Sequence, residues 1–343
     1  VAEALPYWRE PKLSVLFRRA LSLPGLVLVT ALYLALLPAA LAVALLYDLV
    51  RRRDLVTCRC LVTFAGNLLM HLVGIAGLFG IWIFSGRFLG LSQERFERWS
   101  LGLETWWART AFRMVQRIFR MQTVVDNREV VAGGPLIIFP RHASIVDVLL
   151  PIVFVAEPEQ MHLRFVMKRE LLWDPIIDVF GHREPAAFVR RGTRDHAPQI
   201  AAVRHLMDAL RPQDGVIVFP EGTRFTETKR DRFLARLKER DPESWERARK
   251  LRYVLPPHRG GPFAVIDHDE VGADILFIAH TGLEGANHLR DFFGGSLLDT
   301  TLHVRFFRVP ISEVPTEERA RLSWLYDQWE RIDAFIGEHT ESA

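Results

Sequence analysis

Leu136-Ile137-Ile138-Phe139-Pro140-Arg141-His142-Ala143-Ser144-Ile145-Val146-Asp147 has a counterpart 80 residues on, Val216-Ile217-Val218-Phe219-Pro220-Glu221-Gly222-Thr223-Arg224. Each begins as a short, wholly apolar run, ends that run at a proline and then turns polar. An apolar run without alternation is the pattern of a strand buried on both faces, as in a parallel sheet covered by helices. On either side of these two, residues 123–125, 163–167, 187–189, 275–279 and 302–307 read as further strands. Helical stretches fill 145–155, 175–179, 198–210, 230–251 and 316–336. This alternation predicts an α/β fold, a mostly parallel sheet flanked by helices. Polar residues just past the carboxyl ends of such strands are where a site is expected.

The N-terminal quarter has a different pattern. Residues 21–47 and 60–86 contain no Lys, Arg, Asp or Glu, and each run is 27 residues long. As helices they would reach roughly 40 Å, more than the ~30 Å hydrocarbon core of a bilayer. They predict a membrane helix hairpin joined by Arg51-Arg52-Arg53-Asp54. Core helices of a soluble protein rarely run so long without a charge. A signal peptide has a much shorter apolar region, so cleavage is not expected. Basic residues also flank the outer ends, at Arg9, Lys12, Arg18, Arg19, Arg87, Arg95 and Arg98. A double span cannot place all of this charge on one side, whereas a hairpin dipping into one leaflet can. The sequence leaves both forms open. Gly74, Gly77 and Gly80 would let two helices approach closely, and His71 reads as a packing residue.

Residues 92–121 read as an amphipathic helix in which Trp99, Trp106 and Trp107 alternate with arginines. A lipid interface and a surface helix packed on the catalytic part fit that pattern equally. Residues 228–252 carry ten basic and five acidic side chains and read as a solvated helix pair. The chain of 343 residues has a net charge of +3, which implies no large single-sign field, and no nucleic-acid partner is expected. Cys58 and Cys60 are the only cysteines. Two ligands fall short of the four a structural zinc wants, so no metal site is expected. No disulfide framework exists, which favours a reducing, cytosol-facing catalytic part.

His142 comes just after a strand, and Ser144-Ile145-Val146-Asp147 opens a helix with Ser144 as N-cap. Taken alone, Asp147 is a capping carboxylate and His142 a loop histidine. Taken together, an imidazole and a carboxylate across one turn make a general base and its orienter. In the second segment Arg224 stands beside a glycine turn, and arginine suits bidentate recognition of phosphate. A surface Glu221–Arg224 ion pair is the alternative. Ser144 has no Gly-x-Ser-x-Gly elbow around it, so a serine hydrolase is not expected. A metal-dependent hydrolase would need three protein ligands, and His142 with Asp147 supplies two.

His142-x4-Asp147 together with Phe219-Pro220-Glu221-Gly222-Thr223-Arg224 resembles the glycerolipid acyltransferase family that includes 1-acylglycerol-3-phosphate acyltransferases. Lys168-Arg169-Glu170-Leu171 and Phe188-Val189-Arg190-Arg191 are similar to its middle blocks, and the resemblance covers roughly residues 120 to 310. It implies that His142 is the catalytic base, oriented by Asp147. It further implies that Glu221, Gly222, Thr223, Arg224, Arg191 and Lys168 bind the acceptor. The implied reaction moves a fatty acyl group from an acyl-CoA or acyl carrier protein thioester to lysophosphatidate, with no bound cofactor and no acyl-enzyme. Another lysophospholipid or phosphoglycolipid acceptor, or a catalytically silent membrane scaffold, is the alternative. The expected organisation is an anchor over 1–90 and an acyltransferase domain over 91–343, on the cytoplasmic side of a bacterial cell membrane. Arg141 and Arg190 depart from the family pattern, which has Asn and Asp there.

Overall fold

The computed structural model describes residues 10–86, 89, 93–189, 197–287 and 289–340. Its centre is a seven-stranded sheet in the order β1-β7-β6-β2-β5-β3-β4. In chain order the strands are β1 (Gln122–Asp126), β2 (Leu136–Pro140), β3 (His162–Lys168), β4 (Ala186–Val189), β5 (Asp214–Ile217), β6 (Asp274–Thr281) and β7 (Thr301–Val309). The five strands from β6 to β4 are mutually parallel; β7 is antiparallel to β6 and carries β1 parallel to itself. All seven expected strands are present.

Alternate residues of the central strands feed two cores, which is why the sequence shows no alternation. Leu136, Ile138, Ile217, Leu276 and Ile278 enter one core, and Ile137, Phe139, Val216, Ile275 and Phe277 the other. The second core is closed by helices Ala197–Arg204, Gly260–Ile266 and Glu318–Thr340. The first is closed by α2 (Val56–Phe84), α3 (Gln93–Phe119) and the segment after His142.

Three helix expectations change. Residues 145–155 form no single helix: a 3-10 turn, Asp147–Leu149, is succeeded by a π turn, Ile152–Ala156. Pro151 lies between them, lacking an N–H and crowding the preceding turn. The stretch 230–251 is two helices, Glu227–Arg240 and Pro242–Ala248, because Asp241 ends one and caps the next ahead of Pro242. Helix Gly260–Ile266 lies outside the expected helical stretches.

The hairpin consists of α1 (Lys12–Arg51) and α2, both long and apolar enough to cross a membrane. Its two helices are stitched together. The Tyr33 hydroxyl donates to the Leu61 carbonyl at 2.9 Å, and the Cys58 N–H donates to buried Asp48 at 3.0 Å. One side of α1 faces α2, and most of its remaining leucines and valines are exposed. By contrast, α2 lies against the sheet domain along its length. Cys60 meets the Phe292 carbonyl (3.2 Å), His71 meets Asp174 (3.1 Å) and the Leu78 carbonyl accepts from Arg183 (2.5 Å). Val56, Cys60 and Met70 belong to the same core as the sheet, so no gap in packing separates the hairpin from the sheet domain. Helix α3 occupies the expected amphipathic stretch; it buries Phe96, Ala108, Phe112 and Phe119 and leaves Trp99 and Trp106 partly exposed.

Candidate active site

The site collects where parallel neighbours β6, β2, β5 and β3 end. Past β2, the chain places His142 with its ring against Phe219 from the end of β5, centroids 4.5 Å apart. Its Nδ1 lies 3.1 Å from Oδ1 of Asp147. A carboxylate only accepts, so Nδ1 carries the proton and Nε2 is left as a base. Asp147 is fully buried and also serves the backbone, because its Oδ2 accepts from the N–H groups of Ala143 (2.6 Å) and Ser144 (2.7 Å). Capping and orienting are therefore both performed by one carboxylate. Ser144 caps no helix; its Oγ accepts from the Val146 N–H at 3.0 Å. Burial would raise the Asp147 pKa, but hydrogen bonding and charge from His142 and His280 outweigh it and hold the carboxyl well below the usual range.

Glu221 is fully buried too. Its oxygens accept from the N–H groups of His142 (2.8 Å) and Leu255 (2.9 Å), tying the two loops together. Burial pushes its pKa up to about 8, against the pull of Arg141 and those two N–H groups. Expected on the acceptor, this carboxyl lines the cleft beside Gly222 while its oxygens hold the two backbone N–H groups. Gly222 turns the chain at φ +63°, where a side chain would also press on His258 at 3.3 Å. Thr223 accepts from Lys229 at 3.2 Å.

His142, Lys168, Gly222 and Thr223 stand on a cleft of about 1220 Å³ that also takes in His258 and Arg259. This exceeds the roughly 300–1,000 Å³ of ordinary small-molecule pockets. Lys168, at the end of β3, has its ammonium 3.6 Å from Glu170. Arg224 donates to the Asn287 carbonyl and is not among the residues lining the cleft. Arg191 lies outside the described residues. From its polar lip the cleft continues between the sheet, α2 and α3, walled by Phe64, Trp107, Met114, Ile176 and Phe180. Among the described residues no group of three or more His, Cys, Asp or Glu is placed to hold a metal ion.

Behind the histidine loop is a buried cation that is visible in the sequence only as a departure from the family pattern. Arg141, 1% exposed, donates to the carbonyls of His280 (2.7 Å) and Tyr253 (2.8 Å) and pairs with Glu284. Burial opposes ionisation of Glu284, yet Arg141 beside it draws its pKa down to about 2. His280, fully buried, places Nε2 3.6 Å from Oδ2 of Asp147. A histidine closing the otherwise apolar run of β6 beside the site strand was the available signal.

Residues 122–277 match the acyltransferase family model. The chain is 22% identical over 218 residues to mouse 1-acyl-sn-glycerol-3-phosphate acyltransferase epsilon, covering 60% of this chain and 58% of that protein. It is 26% identical over 190 residues to an uncharacterized acyltransferase of Schizosaccharomyces pombe, covering 51% of each. The chain thus spans less than two thirds of the length of either relative. The crystal structure of the 1-acyl-sn-glycerophosphate (LPA) acyltransferase from Thermotoga maritima superposes with a TM-score of 0.47 at 18% identity, covering 81% of this chain and 98% of that one. The paired His142/Asp147 and Phe219–Arg224 blocks fall inside the matched region, the stretch over which the chain is similar to the acyltransferase family.

Proposed function

We propose that this protein is an acyltransferase that moves a fatty acyl group from a thioester, on coenzyme A or acyl carrier protein, to the free hydroxyl of lysophosphatidate. One observation carries the reading. An imidazole oriented by a buried carboxylate stands at the polar end of a cleft whose other end is an apolar channel against the hairpin. On this reading Nε2 of His142 takes the proton of the acceptor hydroxyl while its oxygen attacks the thioester carbonyl. The C–O bond forms, the C–S bond breaks, and the thiolate leaves to be protonated. Asp147 stabilises the imidazolium. Lys168 and Arg259 at the lip, with Arg224 and Arg191 from the family pattern, are the cations we assign to the acceptor phosphate.

We further propose that the hairpin lies in one leaflet, with the domain on the cytoplasmic side of the cell membrane. Near one end of α1, Arg18 and Arg19 grip Asp178 of the sheet domain at 2.6 and 2.7 Å; just past its other end, Arg53 donates to the Phe293 carbonyl. A hairpin crossing the bilayer would carry Arg53 to the far side, away from Phe293. The chemistry is tested with purified protein, lysophosphatidate and long-chain acyl-CoA by monitoring thiol release and the lipid product. The wild type should turn over and His142→Ala should fall to background while still binding thioester. Equal turnover by both would remove His142 as the base. Offering a mixture of lysolipids to the wild type then identifies the acceptor.

A further inference from the structure

The apolar channel contains a polar stripe. Ser100, Glu104 and Trp107 of α3 all line it, and their spacing of four and three residues puts them on one helical face. Ser100 is 1% exposed and, though near enough to Glu184 to ease its charge, its Oγ has no partner in hydrogen-bonding geometry. The Trp107 Nε1 is likewise buried and unpartnered. Among the described residues Glu104 makes no hydrogen bond or ion pair. Around them the walls are Leu78, Leu103, Ile176 and Phe180.

The stripe lies toward the end of the channel remote from the histidine. On α2 the cleft runs from Thr63 to Leu78, about 22 Å at helical rise. Phe64 stands against Phe292 and Phe293, next to the loop whose Ala286 carbonyl accepts from Ile145. Leu103 sits opposite Gly77, a few residues from the other end of α2. Burial first, and then the charge of Glu184, push the Glu104 carboxyl well above its usual range. A neutral carboxyl both donates and accepts. A purely hydrocarbon chain would leave all three groups unanswered, which is the situation that makes a site discriminate against ligands lacking a hydroxyl.

We propose that the far part of the channel is a subsite for a hydroxyl group carried on the fatty chain, held by Glu104 and Ser100. This rests on the reading that the channel receives a fatty chain. Binding is measured by calorimetry on the full chain in detergent, using palmitate and a series of monohydroxylated palmitates with the hydroxyl moved from mid-chain to the terminus. At least one hydroxylated member should bind about tenfold or more tightly than palmitate. Glu104→Leu should erase that preference and improve palmitate binding, Ser100→Ala should reduce it, and Glu104→Gln should keep part of it. Melting curves on each variant verify folding. The proposal is overturned if no hydroxylated chain surpasses palmitate in the wild type, or if Glu104→Leu keeps the preference. Thiol release with unsubstituted acyl-CoA, run in parallel, reads acyl transfer independently of the subsite.

Discussion

Asp147 poses the sharpest question at the scale of a residue, because one carboxylate both orients His142 and holds two backbone N–H groups. Asp147→Asn retains an oxygen for the backbone but turns an amide N–H toward Nδ1, forcing the imidazole proton onto Nε2. It should cost about 10⁴ in kcat, the scale seen when a triad aspartate is neutralised, with a small change in melting. Asp147→Ala strands both N–H groups and should destabilise by about 2–5 kcal/mol as well. Equal kinetic and melting losses in the two variants would show that Asp147 only holds the loop. Glu221 gives a pH signature of opposite sign to that of Asp147. Its folded pKa of about 8 lies above the ordinary 4.5, so between those values the native state binds more protons than the unfolded state. Its contribution is full below about 4.5 and is lost as pH rises through about 8. Glu184, also raised to about 8 by burial, acts in the same window. Asp147, shifted downward, contributes above its unfolded value and loses that only in strong acid. Melting temperature should therefore fall from pH 5 to pH 8, and Glu221→Gln should flatten the fall without abolishing it. An unchanged slope would mean that Glu221 stays ionised.

At the scale of elements, the strands were legible because burial on two faces leaves a plain mark, an unbroken apolar run such as 136–139. Strand β5 nevertheless starts two residues earlier than expected. Asp214 is buried in the strand by Arg164 (2.7 Å) and Arg211 (3.1 Å), and a paired aspartate looks like a loop residue in sequence. The site divides the same way. His142 and Asp147 lie within one turn, so their partnership could be read locally. The Asn287 carbonyl that takes Arg224 is 63 residues away, and no local pattern announces it. Arg141 was visible only as a departure from the family pattern; that the carbonyls of His280 and Tyr253 and the carboxylate of Glu284 converge on it is a property of the fold. Docking of α1 is equally long-range, through Asp178, which is buried against Arg18 and Arg19. Burial opposes its charge, but His182 and the two arginines prevail and hold it near 2. Asp178→Ala should cost up to about 3 kcal/mol, the low end for a broken buried pair because Arg19 stays partly exposed. Cleavage of α1 by protease in detergent should then quicken by about 100-fold. Unchanged cleavage would mean that α1 is held by its seam with α2 alone.

The whole molecule is organised around one apolar surface. The exposed leucines and valines of α1 lie on the outer side of a hairpin whose inner helix, α2, forms one wall of the cleft. A chain entering from a leaflet in contact with that surface would meet the channel without crossing water, a route available only if the hairpin stays on the domain's side of the bilayer. The turn between α1 and α2 reports this directly. Arg52 and Lys250 are both exposed, the first in that turn and the second on the sheet domain. In a Cys58→Ser, Cys60→Ala background, Arg52→Cys and Lys250→Cys should react with a membrane-impermeant maleimide from the same face of reconstituted vesicles, at rates within about tenfold. The background substitution at Cys60 removes its contact with the Phe292 carbonyl, so thiol release is measured first to show that the site survives. Labelling of residue 52 only after the vesicles are opened, with residue 250 labelled before, would place the turn across the bilayer. That outcome would separate Arg53 from Phe293 and require the inner helix to leave the cleft it walls, so it would also remove the route by which lipid reaches His142.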